Sequence, residues 1–326
     1  MDNELYRFGG ARGYSLIPSA LLIVLFLQTV FAVPFYGQQA DSIPYVIVLG
    51  VAQDGGYPHI GCEKTCCVKA HQVDSLSKYV VSIALIDPLE KKWWLFEATP
   101  DIEEQLHLFR ELTSGQYSYL PQGIFITHAH MGHYTGLMEL GREAMGSKNV
   151  AVHALPRMCE YLKGNGPWSQ LVELNNIKLV EGHFKESLKV SESISITPFQ
   201  VPHRDEYSET AGFKIETIGK DYLFIPDIDK WEKWERDIEE EISLVDVAFV
   251  DATFWSIAEL PFRNIKTIPH PLVSETMELL KDANMELKRK VTFIHFNHTN
   301  MLMWNEGTQR VVVEKGFSFA KQGKTY

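Results

Sequence analysis

The feature that most constrains this chain is a run of three histidines that follows a short apolar segment. Residues 124–127 have the β-branched and aromatic character of a buried strand, and His128, His130 and His133 come directly after them. Side chains two positions apart project to the same side where a strand ends, and His133 lies in the first turn of the helix expected next. Three imidazoles in one small volume suit Zn²⁺. The run therefore predicts a metal site at the carboxyl end of a strand.

The rest of the chain alternates many short strand-like segments with fewer helical ones. The strand-like segments are residues 45–51, 80–86, 93–96, 124–127, 149–153, 194–201, 211–215, 222–225, 245–250, 291–295 and 311–313. Helical patterns cover residues 102–112, 132–144, 230–241 and 274–287. No linker or repeat interrupts the chain from Tyr45 onward, so one α/β domain is expected over residues 43–326. Sheets with helices packed outside suit this pattern, and an αββα sandwich is one solution among several.

Composition and charge narrow the class of protein and of partner. The 326 residues are 45% apolar and 12% aromatic, which excludes a disordered or fibrous chain. The formal net charge is −11, and no dense run of lysine and arginine offsets it. Because a protein with this net negative charge repels a phosphate backbone, nucleic acid is not expected as a partner. The expected partner is a small-molecule substrate. The sequence leaves the oligomeric state open.

The first 42 residues differ in character from the rest of the chain. Arg7 and Arg12 precede an apolar region at residues 16–35, and small side chains offer a cleavage site after Ala32. A signal peptide over residues 1–42 is expected, with an uncleaved membrane anchor or a buried helix as the alternatives. Either of the first two would make the protein periplasmic or otherwise extracytoplasmic, and the anchor would attach it to a membrane.

The histidine run resembles the signature of the metallo-β-lactamase superfamily, His-x-His-x-Asp-His. In the order typical of that family, a lone histidine, an aspartate and a last histidine follow later strands. His203 after residues 197–202, Asp227 after residues 223–226 and His295 after residues 291–294 stand where the family would place them. The resemblance implies an αββα sandwich of the metallo-β-lactamase type.

Within the superfamily, the chain is most similar to the pyrroloquinoline-quinone biosynthesis B family, with the carbon-phosphorus-lyase cyclic phosphodiesterases as cousins. The segments that carry this likeness are residues 46–62, 250–255, 269–274 and 295–300. The resemblance implies a first metal bound by His128, His130 and His203. It implies a second metal bound by His133, Asp227 and His295, with Asp227 able to bridge the two.

Gly132 departs from the family signature, which has aspartate at this position. Glycine has no side chain to bind the second metal or to orient water, so we expect one tightly held metal and a second that is weaker or absent. If the chain lost its chemistry along with that aspartate, Gly132→Asp should raise the metal stoichiometry.

A cluster of cysteines forms a second constellation. Cys62, Cys66 and Cys67 lie within six residues, where mutual disulfides would be strained, so a metal site explains them better. The cyclic phosphodiesterases use cysteines here, together with a histidine three residues after the last active-site histidine, to hold a structural zinc. His298 is the matching position, so the resemblance implies a zinc site of Cys62, one or both of Cys66 and Cys67, and His298. Idle thiols, or a disulfide with the distant Cys159, remain the alternatives.

Two further residues and three hypotheses complete the expectations. His270 lies in a family-like segment and could line the pocket, and Asp54 lies in a Gly-rich turn that should approach the metals; both are candidate catalytic residues beside Asp227. The leading hypothesis is an exported hydrolase that uses zinc-activated water on an ester, phosphodiester, amide or lactam. The second is a metal-dependent oxygenase or hydroxylase of the quinone-biosynthesis type, which iron content and oxygen consumption would distinguish. The third is a non-catalytic metal- or ligand-binding protein.

Overall fold

The computed structural model describes residues 43–261 and 263–326, whose strands form two mixed sheets. The expected signal peptide or anchor lies outside these residues. Within them, no helix combines the length and apolarity that crossing a bilayer requires. The helices are α1 (Thr65–Val68), α2 (Ile102–Leu112), α3 (Met131–Tyr134), α4 (Pro156–Gly164), α5 (Trp168–Glu173), α6 (Ile238–Ser243), α7 (Val273–Leu279), α8 (Met285–Lys290) and α9 (Glu306–Glu314).

The first sheet has six strands in the order of the sequence. They are β1 (Tyr45–Gly50), β2 (Ser82–Asp87), β3 (Lys92–Phe96), β4 (Gly123–Phe125), β5 (Val150–Ala154) and β6 (Ile177–Glu181). Strands β1 to β3 pair antiparallel and β3 to β6 pair parallel, so β1, β3 and β4 run in one direction. Their carboxyl ends therefore meet at one edge of the sheet.

The second sheet has seven strands. They are β7 (Leu188–Ser191), β8 (Ile194–Gln200), β9 (Ala211–Thr217), β10 (Tyr222–Ile225), β11 (Val247–Asp251), β12 (Val291–Ile294) and β13 (Ser318–Phe319), in the reverse of chain order across the sheet. Strands β10 to β13 pair parallel, while β7 to β10 pair antiparallel, so β8 points the same way as β10, β11 and β12.

Side chains alternate between the two faces of each strand, so one hydrophobic core lies between the sheets and another lies between the first sheet and its helices. On β1, Val46 and Val48 face the second sheet, while Ile47 and Leu49 belong to a separate cluster with α2, α4 and α5. Buried side chains of α6, α7 and α9 join the cluster that includes the second sheet. Helices thus cover both outer faces, and the expected αββα sandwich is confirmed.

Phe96 ties the two sheets together near the strand ends. Its ring stacks on Phe125 at 5.0 Å and meets Phe213 and Phe224 of the second sheet edge-on at 5.4 and 5.8 Å. We expect Phe96→Ala to lower the free energy of unfolding by about 3–5 kcal/mol, because it leaves a cavity where four rings meet. Urea denaturation checks this, with Phe96→Leu as the smaller change. A loss below about 1 kcal/mol would contradict this role of the ring.

Several sequence expectations about local structure were wrong. Residues 311–313, expected as a strand, lie inside α9, whose first turn is capped because the Asn305 side chain accepts from the Thr308 N–H. Val311 and Val313 are partly exposed and only Val312 is buried, the pattern of one helix face. The helices expected at residues 132–144, 230–241 and 274–287 are each broken into shorter pieces. Strands β6, β7 and β13 were not expected.

Candidate metal centre

The residues expected to bind metal converge at the edge where the strands of both sheets end. His128, His130 and His133 follow β4. His203 follows β8, and Asp227 and His295 follow β10 and β12. The two sheets therefore contribute three side chains each to one small volume.

Four ligand atoms face one another in the first group. His130 Nδ1 lies 2.8 Å from His128 Nε2 and 3.2 Å from His203 Nε2. Asp227 Oδ2 lies 3.4 and 3.2 Å from the same two Nε2 atoms. A tetrahedral zinc with bonds of about 2.0–2.1 Å separates its nitrogen and oxygen ligands by about 3.3 Å. The four atoms fit around one such ion.

A second group shares Asp227 with the first. His133 Nε2 lies 3.8 Å from Asp227 Oδ2 and 3.5 Å from Asp54 Oδ1. The ligand atoms of Asp54, His133 and His295 all lie within 4.8 Å of one another. His133 Nε2 and His295 Nε2 are buried and have no hydrogen-bond partner, which a polar atom in a protein interior rarely lacks. The residues present therefore fit a second cation.

Hydrogen bonds on the side away from the centre fix which ring nitrogen of His128 and of His130 points inward. His128 Nδ1 lies 2.9 Å from Thr127 Oγ1, and His130 Nε2 lies 3.0 Å from a Glu206 carboxylate oxygen. A ring that donates a proton to these oxygens keeps the lone pair of its other nitrogen directed at the centre. The inward nitrogens of these two rings, His128 Nε2 and His130 Nδ1, are therefore available to a metal.

In the second group, the outer nitrogen of His133 makes an ion-pair contact and that of His295 makes a hydrogen bond. His133 Nδ1 lies 3.3 Å from the buried Glu97 carboxylate. Thr253 Oγ1 donates to Asp251 and accepts from His295 Nδ1 at 3.0 Å. The Nε2 lone pairs of both rings are thus left for a cation.

Charges in the centre match a cation site. Burial alone would raise the pKa of Asp227, but His203 and His270 hold it well below its usual value, so the carboxylate is ionised. Burial, followed by the neighbouring His133, keeps the pKa of His128 well below its usual value, so this ring is neutral. Burial would also lower the pKa of His133, but Glu97 and Asp54 outweigh it and raise the pKa to about 9, so without metal this ring holds a proton that a bound cation would displace.

His270 lies beside the centre rather than among its inward nitrogens. Its Nδ1 is 3.1 Å from Asp227 Oδ1 and 2.9 Å from Asp251 Oδ2. Despite burial, these carboxylates raise its pKa to about 10. Its ring also borders a cavity of about 360 Å³, together with Arg204 and Arg263. His270 therefore lies between this cavity and the carboxylate of Asp227.

Sequence reasoning did not identify the residues that support the ligands. These are Glu97 after β3, Asp251 at the end of β11, Thr253 and Glu206. A signal existed for two of them, because Glu97 and Asp251 are acidic residues at the ends of apolar strands, as Asp227 is.

The structure also changes the interpretation of Gly132. A Cβ placed there would lie 2.2 Å from Asp54 Oδ1 and 2.7 Å from Asp54 Cα, so the volume is already filled. The expectation that Gly132→Asp alone would add a metal ligand is therefore wrong on steric grounds.

The cysteine cluster forms a separate site near the centre. Cys66 Sγ lies 3.9 Å from Cys62 Sγ, from Cys67 Sγ and from His298 Nδ1, and Cys67 Sγ lies 3.3 Å from His298 Nδ1. In a zinc tetrahedron with bonds of about 2.3 Å to sulfur and 2.0 Å to nitrogen, these separations would be about 3.8 and 3.5 Å. All three thiols and His298 therefore fit one zinc ion.

Thiol chemistry agrees with this fit. Burial raises the pKa of Cys67 to about 12, so a cation is what would hold it as a thiolate. All four cysteines are free, and Cys159, a residue of α4, is buried in the cluster on the helix side of the first sheet. The structure thus brings together the ligands expected for a structural zinc and contains no disulfide to Cys159.

Comparison with known proteins agrees with this architecture. Residues 92–296 match the family model described as a beta-lactamase superfamily domain. Coenzyme PQQ synthesis protein B from Methylorubrum extorquens (strain PA1) is 24% identical over 308 residues, which cover 86% of this chain and 99% of that protein. The same protein from Methylobacterium sp. (strain 4-46) is 26% identical over 306 residues, covering 86% and 98%.

Solved structures share the fold at low sequence identity. Zn²⁺-bound PqqB from Methylobacterium extorquens superposes with a TM-score of 0.71 at 21% identity, covering 86% of this chain and 99% of that one. A diphosphatase from the PhnP family gives a TM-score of 0.63 at 20% identity, covering 87% and 96%. Because the family match spans most of the chain and its strand-end residues converge as described, this protein belongs to the beta-lactamase superfamily.

Proposed function

We propose that this chain is a metal-dependent hydrolase that cleaves an ester or phosphodiester bond next to an anionic group. The observation that carries the proposal is the convergence of three ring nitrogens on Asp227, two of them from rings whose other nitrogen is engaged by an oxygen. A divalent ion bound there would lower the pKa of a coordinated water to about 7 and so supply hydroxide at neutral pH. Zinc suits the nitrogen-rich ligand set.

The cavity beside the centre supports the anionic class of substrate. Arg204 and Arg263 border it in a chain whose net charge is −11. Guanidinium groups bind phosphate and carboxylate oxygens through paired hydrogen bonds. His270 lies between this cavity and Asp227, so we propose that it orients the Asp227 carboxylate and contacts the substrate.

The experiment combines metal analysis with a small substrate panel. Protein expressed without residues 1–42 should contain zinc and hydrolyse bis(4-nitrophenyl) phosphate or anionic esters, lose this activity when stripped of metal, and regain it on reloading. Fully metal-loaded protein that turns over nothing in the panel would overturn the hydrolase proposal.

Arg204 tests the substrate class. Arg204→Met is expected to raise KM for the anionic substrate about tenfold, the effect of losing about 1.4 kcal/mol of binding, while a neutral ester such as 4-nitrophenyl acetate is unaffected. Arg142→Met is the control, because Arg142 is exposed and pairs with its neighbour Glu143. Equal effects of Arg204→Met on both substrates would count against anion recognition.

One alternative follows from the relatives, which are named coenzyme PQQ synthesis protein B and align over almost their whole length. A set of histidines and a carboxylate also binds iron, so an iron-dependent oxygenase is the second proposal. Iron in the purified protein and oxygen consumption without hydrolysis would favour it.

A further inference from the structure

Gly132 and Asp54 occupy one volume between them. The Cβ of any larger residue at 132 would lie 2.2 Å from Asp54 Oδ1 and 3.0 Å from Asp54 Cγ. The Asp54 carboxylate thus occupies the space into which a side chain at residue 132 would project. Glycine is required at 132 because Asp54 is present.

Asp54 is held in this place from both sides. Its Oδ1 accepts from the Gly132 N–H at 3.1 Å. The preceding residue, Gln53, donates its N–H to the Phe296 carbonyl at 2.8 Å, and its side chain accepts from Asn297 at 2.6 Å. The loop after β1 is therefore fastened to the segment that carries His295, and its carboxylate is positioned before any ligand binds.

Two unpartnered ring nitrogens face this carboxylate. His133 Nε2 lies 3.5 Å from Asp54 Oδ1, and its ring is fully buried. His295 is also fully buried, its Nδ1 is engaged by Thr253, and its Nε2 has no hydrogen-bond partner. Buried polar atoms without partners are costly unless a ligand satisfies them. A cation coordinated by both nitrogens and the carboxylate would do so.

Charge balance supports the same conclusion. Neutral imidazoles bring no negative charge, and Glu97, Asp251 and Glu206 contact ring nitrogens other than the inward ones, so Asp227 alone would be a carboxylate ligand for two divalent ions in a buried site. Asp54 adds a second carboxylate where the second group of ligands lies. We propose that Asp54 supplies, from the loop after β1, the carboxylate ligand that residue 132 lacks, so that the chain binds two divalent metal ions in its centre. The proposal rests on the metal centre of the proposed function, but its test does not need activity.

The test counts zinc ions per chain by elemental analysis after gel filtration. Wild type, Asp54→Asn, Gly132→Asp and the double variant Asp54→Gly/Gly132→Asp are compared, each loaded with zinc alone. Asp54→Asn keeps an oxygen that can accept from the Gly132 N–H, so it preserves the fold while removing the charge. Asp74→Asn is the control, an exposed acidic residue further along the same region. Thermal unfolding followed by circular dichroism verifies that each variant is folded.

We expect Asp54→Asn to lose one zinc ion relative to wild type and Asp74→Asn to lose none. Gly132→Asp alone should unfold at a lower temperature, because two side chains compete for one volume. The double variant should recover both the zinc count and the unfolding temperature of wild type, since the carboxylate is returned from the other side of the same space. Folded Asp54→Asn with the wild-type zinc count would overturn the proposal.

This outcome is independent of the hydrolase proposal. If Asp54→Asn loses one zinc and no variant hydrolyses any substrate, the metal assignment stands and the reaction is wrong. If Asp54→Asn keeps its full zinc count and remains active, the reaction stands and the role of Asp54 is wrong.

Discussion

Replacing His130 with alanine is expected to lower the hydrolysis rate about 10³-fold or more. His130 Nδ1 lies within 3.2 Å of both other inward nitrogens of the first group, so its removal takes away the ligand at the middle of that group. Activation of water by a bound metal contributes several kcal/mol to such reactions, and about 4 kcal/mol corresponds to that factor. Steady-state kinetics with the anionic substrate, together with zinc content, measures the effect.

His107→Ala is the matched control. His107 lies on α2 with most of its side chain exposed, and its only recorded ion-pair partner in the part of the chain that the structure describes is Glu111. It should keep both zinc content and rate. A His130→Ala protein with at least a tenth of the wild-type rate would show that this centre does not carry out the reaction.

The second large effect concerns the cysteine cluster. Cys67→Ser is expected to remove one zinc ion and to lower the free energy of unfolding by more than about 4 kcal/mol, since binding energy at a structural zinc is also folding energy. Cys67 is fully buried and lies 3.3 Å from His298 Nδ1, so the site joins the loop after β1 to the segment after β12. Urea denaturation of zinc-loaded protein measures the loss.

Cys159→Ser controls for the loss of a buried thiol that lies elsewhere in the fold. It should retain the full zinc count and cost far less stability. A chelator that removes all zinc should destabilise wild type at least as much as the substitution does, and should destabilise Cys67→Ser less than wild type, because the cluster of that variant has no zinc to lose. Equal zinc content in Cys67→Ser and wild type would rule out this ligand.

Sequence reasoning found the residues that converge at the candidate metal centre because each one lies shortly after a strand. The spacing of His128, His130 and His133 is a local property, and parallel strand ends meet at one edge of a sheet. His203, Asp227 and His295 were found by their order in a family pattern rather than by any local rule. Convergence of all six could be seen only once the two sheets were packed together.

The residues that support the ligands could not be predicted in this way. Glu97 and His133 come from different strand ends, and Thr253 reaches His295 across 42 positions. Gly132 was interpreted as a missing ligand because the family signature has aspartate at this position. The carboxylate that fills its space lies 78 positions earlier, a distance at which pattern and propensity carry no information. Residues 311–313 were assigned to a strand because β-branched composition outweighed the Asn305 cap.

Because the candidate ligands come from both sheets, a metal bound at the centre would link the two sheets of the sandwich. Both hydrophobic clusters consist of side chains that do not bind metal, so the chain should form its two sheets without zinc. At the ligand edge, however, the sheets would bury the Nε2 atoms of His133 and His295 without hydrogen-bond partners. Free zinc at about 100 times its dissociation constant would add about 2.7 kcal/mol to the free energy of unfolding. The zinc concentration would therefore set the stability of the protein as well as its activity.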